Sequence, residues 1–140
     1  LVVLARDDHP LAHARNVPLA RLADEPFLMR EEGSGARRLA LRLFREHGLA
    51  PKIKMELGTN EAIKEAILAG LGVAIMSRHT FGLDPESSRY LCLDVEGFPL
   101  ANHWYIVYPQ GKQLSPIAQA FLDFARLEAR RLVQPSDDRD

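Results

Sequence analysis

The chain has 140 residues, 46% hydrophobic and 26% charged, with a formal net charge of −1 and one cysteine. This is enough for one ordinary core. No apolar run approaches the roughly 20 residues needed to cross a bilayer, and the balanced charge excludes a chain that is basic throughout and binds nucleic acid by charge alone.

Leu1–Ala5 is too short for the core of a secretion signal and is followed at once by charge. The lone Cys92 rules out an internal disulfide framework and fits a reducing, cytoplasmic setting.

In chain order, Leu1–Ala5 reads as a short apolar strand that Pro10 prevents from continuing. Pro18 opens a helical turn to Ala23, and Pro26–Arg30 is a second strand. Glu31–Gly35 turns the chain into a helix from about Ala36 to His47. Its apolar stripe is Ala36, Leu39, Ala40, Leu43 and Phe44, and Gly48 ends it. Ile53, Met55 and Leu57 alternate with polar residues, the pattern of a strand covered on one face.

Thr59 or Asn60 can cap the next helix, and Glu61 adds negative charge to its first turn. Ile63, Ala66, Ile67 and Gly70 share one face of that helix. Gly70 and Gly72 close it, and Val73–Met76 reads as a buried strand. Strand, helix and strand here make a βαβ unit with an expected right-handed crossover.

Ser77–Thr80 starts a short helix or turn, Asp84–Ser88 is loop, and Tyr90–Leu93 is a strand in which Cys92 reads as a small core residue. Gly97–Pro99 turns the chain. His103–Tyr108, aromatic and β-branched, is expected to be a strand. Ser115-Pro116 starts a last helix with Ile117, Ala120, Phe121, Phe124 and Ala125 on one face. From Gln134 onward nothing can be buried, and a mobile tail is expected.

Such alternation predicts an α/β fold, in which ligands meet the carboxyl ends of the strands. Three loops qualify: Glu31–Gly35, Gly58–Glu61 and Ser77–His79. Gly33-Ser34-Gly35 lets backbone approach a ligand, Ser34 offers a hydroxyl, and Arg37 and Arg38 lie one turn on. That set suits a carboxylate or phosphate. A helix dipole alone adds only about 0.3–1 kcal/mol, so side-chain donors must contribute. The plainer reading makes Ser34 and Thr59 helix caps and Arg37 or Arg38 a solvated side chain.

Catalytic patterns are weak. Gly33–Arg38 carries arginine where a dinucleotide fingerprint needs its third glycine, and Glu32 stands where a nucleophile elbow needs its first. His9, His13, His47, His79 and His103 have no metal-ligand spacing beyond the loose pair His9 and His13. No catalytic residue and no metal ligand is assigned, and the chain is read as a non-enzyme.

Several stretches carry a family resemblance. His9-Pro10-Leu11, Phe27–Arg30 with Gly33-Ser34-Gly35, Asn60–Lys64 and Ala69–Ala74 resemble the effector-binding domain of LysR-type transcriptional regulators. Within that family, Gly58–Lys64, Ser77–Thr80, Leu93–Pro99, His103-Trp104 and Leu114-Ser115-Pro116 resemble the CbbR-type regulators of the RuBisCO (Calvin-cycle) operon.

The resemblance implies a periplasmic-binding-protein-like α/β fold with one complete Rossmann-like subdomain. Residues 1–6 would be a first hinge strand and 7–99 the second subdomain. Residues 100–133 would be the other hinge strand and a C-terminal helix that packs on the first subdomain, with 134–140 a disordered tail. DNA would be contacted only through an N-terminal domain absent from this chain, and no membrane is involved.

The resemblance further implies a small anionic effector held between subdomains, with Gly33, Ser34, Gly35 and Arg37, then Thr59, Asn60 and Ser77, as its ligands. A phosphorylated sugar metabolite or NADPH would be that effector, and no resident cofactor is expected. It also implies a homo-oligomer, dimer or tetramer, with Lys64 and Glu65 at an antiparallel contact. Two rival readings stand: a periplasmic-type solute-binding protein, and a sugar-phosphate enzyme using His79 or His103 as base.

Overall fold

Strand β1 (Val2–Arg6) lies at the centre of a three-stranded sheet, between β4 (Ala74–Met76) and β5 (Tyr90–Leu93), antiparallel to both. Strand β2 (Pro26–Arg30) pairs in parallel with β3 (Lys52–Leu57). A parallel bridge between Phe27 and Val73, just before β4, joins the two sheets. The strand order is therefore β3-β2-β4-β1-β5. The structure is a computed structural model describing residues 1–81, 89–103 and 105–133. The expected loop Asp84–Ser88, Trp104 and the tail from Gln134 lie outside the described residues.

Alternation along the strands sorts side chains into two layers. Val3, Ala5, Phe27, Met29, Val73 and Ile75 join one buried cluster with α1 (Leu19–Ala23) and α2 (Gly35–Glu46). Val2, Leu4, Leu28, Ala74 and Met76 join the other with Ile63, Ala66, Ile67 and Leu68 of α3 (Asn60–Leu68). Strands apolar on both faces are what a helix–sheet–helix sandwich requires. Phe27 and Phe44 meet edge to face at 5.4 Å in the first layer.

The sequence-derived elements recur with small boundary changes, including the four-residue α4 (Arg78–Phe81). Gly70 has φ of +71° and ends α3 in the left-handed conformation expected of it.

Three expectations are corrected. Strand β3 is not half-covered, because Ile53 and Met55 are both exposed. It is an edge strand, and a bulge pairs Ile53 with Phe27 but Met55 with Leu28, which face opposite layers. Its apolar side chains are thus divided between two faces instead of sharing one. Cys92 is exposed, not a core residue: of the outer strand β5 the core takes Tyr90 and Leu93 and leaves Cys92 to solvent. Residues 103 and 105–108 form no strand. No described residue gives this segment a ladder partner, and a strand without one leaves its backbone groups unpaired.

The chain divides into two compact units, Leu1–Asn102 and His103–Asp140. The second contains α5 (Pro116–Val133), capped where Ala118 N–H donates to Ser115 Oγ at 3.3 Å. Its side chains Ile117, Phe121, Phe124 and Leu127 are exposed.

Candidate functional site

Because β2, β3 and the segment entering β4 run in parallel, their carboxyl ends share one edge of the sheet. Arg30 pairs with Leu57, and three residues beyond the Phe27–Val73 bridge the neighbouring chains reach Arg30 and Met76. The loops holding Gly33, Ser34, Gly35 and Arg37, then Thr59 and Asn60, then Ser77, all leave from this edge. All seven residues expected at the site therefore emerge from one rim of the fold.

Their chemistry differs from residue to residue. Ser34 is the N-cap of α2 by position, yet its side chain makes no capping hydrogen bond. Its carbonyl accepts the first helical bond, from Arg38 N–H at 3.1 Å, so the N–H groups of Gly35, Ala36 and Arg37 have no intrahelical acceptor. Gly33 has φ of +92°, which L side chains rarely adopt, and this turns the chain into α2. No acidic residue stands in the first turn of α2, whereas α3 carries Glu61 there. Thr59 does cap, accepting from Ala62 N–H at 3.1 Å. Asn60 instead accepts from Arg30 Nη1 at 2.7 Å. Ser77 is half-buried before α4.

Arg37 is not a solvated side chain. Only 14% of it is exposed, and its Nη1 donates to the Arg30 carbonyl at 2.7 Å and to Glu56. Arg30 itself forks onto Glu31, with Nε to Oε2 at 2.7 Å and Nη2 to Oε1 at 2.9 Å. That hydrogen-bonded pair raises the Arg30 pKa and holds the Glu31 carboxyl below its ordinary range. The guanidinium groups of Arg30 and Arg37 thus already face carboxylates. Donors left for an incoming anion are the first-turn N–H groups of α2, the Ser34 hydroxyl and the exposed Arg38, whose Nη2 lies 4.0 Å from where a Cβ on Gly35 would stand. Along the outer side of α2, a groove of about 580 Å³ is lined by Gly35, Arg38, Leu39, Leu41, Arg42, Arg45 and Asn102.

Sequence reasoning missed Arg30 and Glu56, and took Glu31 only as the start of a candidate loop. The rule that ligands meet strand ends was the available signal, since Arg30 ends β2 and Glu56 is the penultimate residue of β3. What it lacked was the β3 bulge, which sets Glu56 opposite Met29, on the α2 layer.

The LysR substrate binding domain family matches residues 1–130. A RuBisCO operon transcriptional regulator of Allochromatium vinosum is 51% identical over 132 residues, 94% of this chain and 44% of the relative. The HTH-type transcriptional activator CmpR of Synechocystis sp. is 46% identical, over 96% of this chain and 45% of that protein. This chain thus spans less than half the length of the curated relatives it matches.

Among solved structures, the regulatory domain of Synechocystis PCC6803 CcmR in complex with 2-PG aligns with a TM-score of 0.82 at 46% identity, over 88% of this chain and 59% of that one. The effector binding domain of QuiR in complex with shikimate aligns with a TM-score of 0.75 at 25% identity, over 93% and 61%. The periplasmic-binding-protein-like α/β architecture is shared with these effector-binding domains, and the chain belongs to the LysR substrate-binding domain family.

Proposed function

We propose that this chain is the effector-sensing part of a cytoplasmic LysR-type transcriptional regulator that controls carbon-fixation (RuBisCO) operon genes in response to a small anionic metabolite. The observation that carries the reading is the rim of the sheet. There the uncapped first turn of α2, Ser34 Oγ and the Gly33-Ser34-Gly35 backbone offer donors to one negatively charged group. The likeness to a regulatory domain that holds 2-PG supports a phosphorylated ligand, and phosphorylated sugars or NADPH belong to the same chemical class. Thr59 and Asn60 support the site by shaping its second loop, and Ser77 borders it from a third.

Sensing then works by population shift. An anion held at this rim and by a second lobe favours one hinge arrangement, and it can do so only by the difference in its affinity for the two states. Affinities of about 1 μM to 1 mM correspond to about 8 to 4 kcal/mol, ample for a shift of a few kcal/mol. DNA contact belongs, in this reading, to the part of such regulators that these residues do not cover, and the regulator works as a homo-oligomer. Calorimetric titration of the full-length protein with 2-phosphoglycolate, pentose phosphates and NADPH tests the proposal. Saturable binding that weakens at least tenfold in Ser34→Ala supports it; Ser34→Ala and Arg37→Ala proteins that both bind every ligand as tightly as the wild type overturn the site.

A further inference from the structure

At the proposed anion site the strongest fixed cation is already occupied by the protein's own carboxylate. Arg37 stands in the first turn of α2, where its side chain is held under cover by packing and by the Arg30 carbonyl. Glu56, which completes its coordination, is 47% exposed and comes from a different element, edge strand β3. The two partners are therefore unequal. The guanidinium is anchored, while the carboxylate is free to exchange its partner for water. Glu56 stands on the α2 layer only because the bulge in β3 changes which face its last residues present. Glu31 neutralises Arg30 in the same region, so of the three guanidinium groups on β2 and in the first turn of α2 two already hold a carboxylate, and among the described residues the exposed Arg38 has no such pair.

From this geometry we infer that Glu56 is an internal competitor for Arg37: it occupies the guanidinium when the effector site is empty and must leave when an anion is bound. Glu56 is thus a specificity-determining residue. It sets the threshold concentration and favours ligands whose anionic group binds Arg37 better than a carboxylate does, above all a doubly charged phosphate. A singly charged carboxylate ligand would exchange one like group for another and gain little. The inference rests on the anion-site reading of the α2 rim, and the variants below separate the two.

The measurement is calorimetric titration of the full-length protein with 2-phosphoglycolate and with inorganic phosphate. Wild type is compared with Glu56→Gln, Arg37→Ala, the double variant, Ser34→Ala and, as a control for general charge, Glu32→Gln, which removes an exposed carboxylate on the adjoining turn. Breaking a half-exposed pair predicts that Glu56→Gln tightens binding about two- to fivefold. Glu32→Gln leaves affinity nearly unchanged, and the gain from Glu56→Gln vanishes in the Arg37→Ala background.

A Glu56→Gln protein that binds more weakly makes Glu56 a support for Arg37 and overturns the inference while leaving the site intact. An equal gain from Glu32→Gln, or one that persists without Arg37, reduces the effect to net charge and also overturns it. Unchanged affinity in Ser34→Ala and Arg37→Ala together removes the site itself.

Discussion

A Cβ built on Gly72 would stand 2.1 Å from the carbonyl oxygen of Pro26. The same two segments are joined where Val73 N–H donates to that oxygen at 2.9 Å and Leu28 N–H donates to the Val73 carbonyl at 2.8 Å. This close approach links the two sheets, and so brings the carboxyl ends of β2 and β4 to one rim. Gly72→Ala therefore costs at least about 2 kcal/mol, because the obstacle is backbone and cannot swing aside. Urea unfolding measures the loss; a cost below about 0.5 kcal/mol, the scatter of surface substitutions, contradicts it.

Phe44 is fully buried against Phe27. Phe44→Ala is expected to destabilise by about 3–5 kcal/mol, whereas Leu39→Ala on the half-buried flank of α2 costs less. Equilibrium denaturation of both variants ranks the two sides of the helix.

Ser34 and Thr59 occupy the same position before their helices but are used differently. Thr59→Ala loses a capping bond and about 1 kcal/mol of stability. Ser34→Ala loses none, and its unfolding midpoint stays near wild type while anion affinity falls. Parallel melting and titration experiments distinguish them. An equal loss of stability in the two variants would assign Ser34 to capping.

His9 lies in the turn after β1. Its Nδ1 accepts from Leu11 N–H at 3.2 Å, and its Nε2 is 3.6 Å from Glu25, which also pairs with Arg21 at 2.7 Å. Burial pushes its pKa below the ordinary histidine value; Arg21 acts the same way, and Glu25 and Asp8 oppose them. The unfolded chain then binds the extra proton more readily than the folded one. This contribution is intact above about pH 6.5 and is lost as pH falls from there toward the folded pKa. Asp8, Asp24 and Glu31, held low by Arg6, Lys52 and Arg30, add losses only at more acid pH, below about 4. A His9→Gln protein should show a flatter stability profile between about pH 7 and 5. Superimposable slopes would refute the assignment.

On α5 the exposed side chains Ile117, Phe121, Phe124 and Leu127 form an apolar face. Leaving each in water forgoes about 1.5–3 kcal/mol, which favours association of the isolated 140-residue chain. Sedimentation should show concentration-dependent mass that Phe121→Asp with Phe124→Asp abolishes. A wild-type chain that remains monomeric at every concentration contradicts this.

Much of this protein was determined by local rules acting within short stretches. The stripe Ala40 and Phe44 produced α2, the unbroken apolar run Val2-Val3-Leu4-Ala5 produced a strand covered on both faces, and Thr59 started α3. Even the rim location of Gly33-Ser34-Gly35, Thr59, Asn60 and Ser77 followed from parallel strands and their carboxyl ends. Tertiary structure alone decided what depends on a second segment's position. The β3 bulge divided Ile53 from Met55 and carried Glu56 to Arg37, while on β5 Tyr90 and Leu93 were covered and Cys92 was left exposed. Periodicity reports which face of an element is apolar. It carries no information on which element arrives to cover that face, because coverage depends on contacts between residues far apart in the chain.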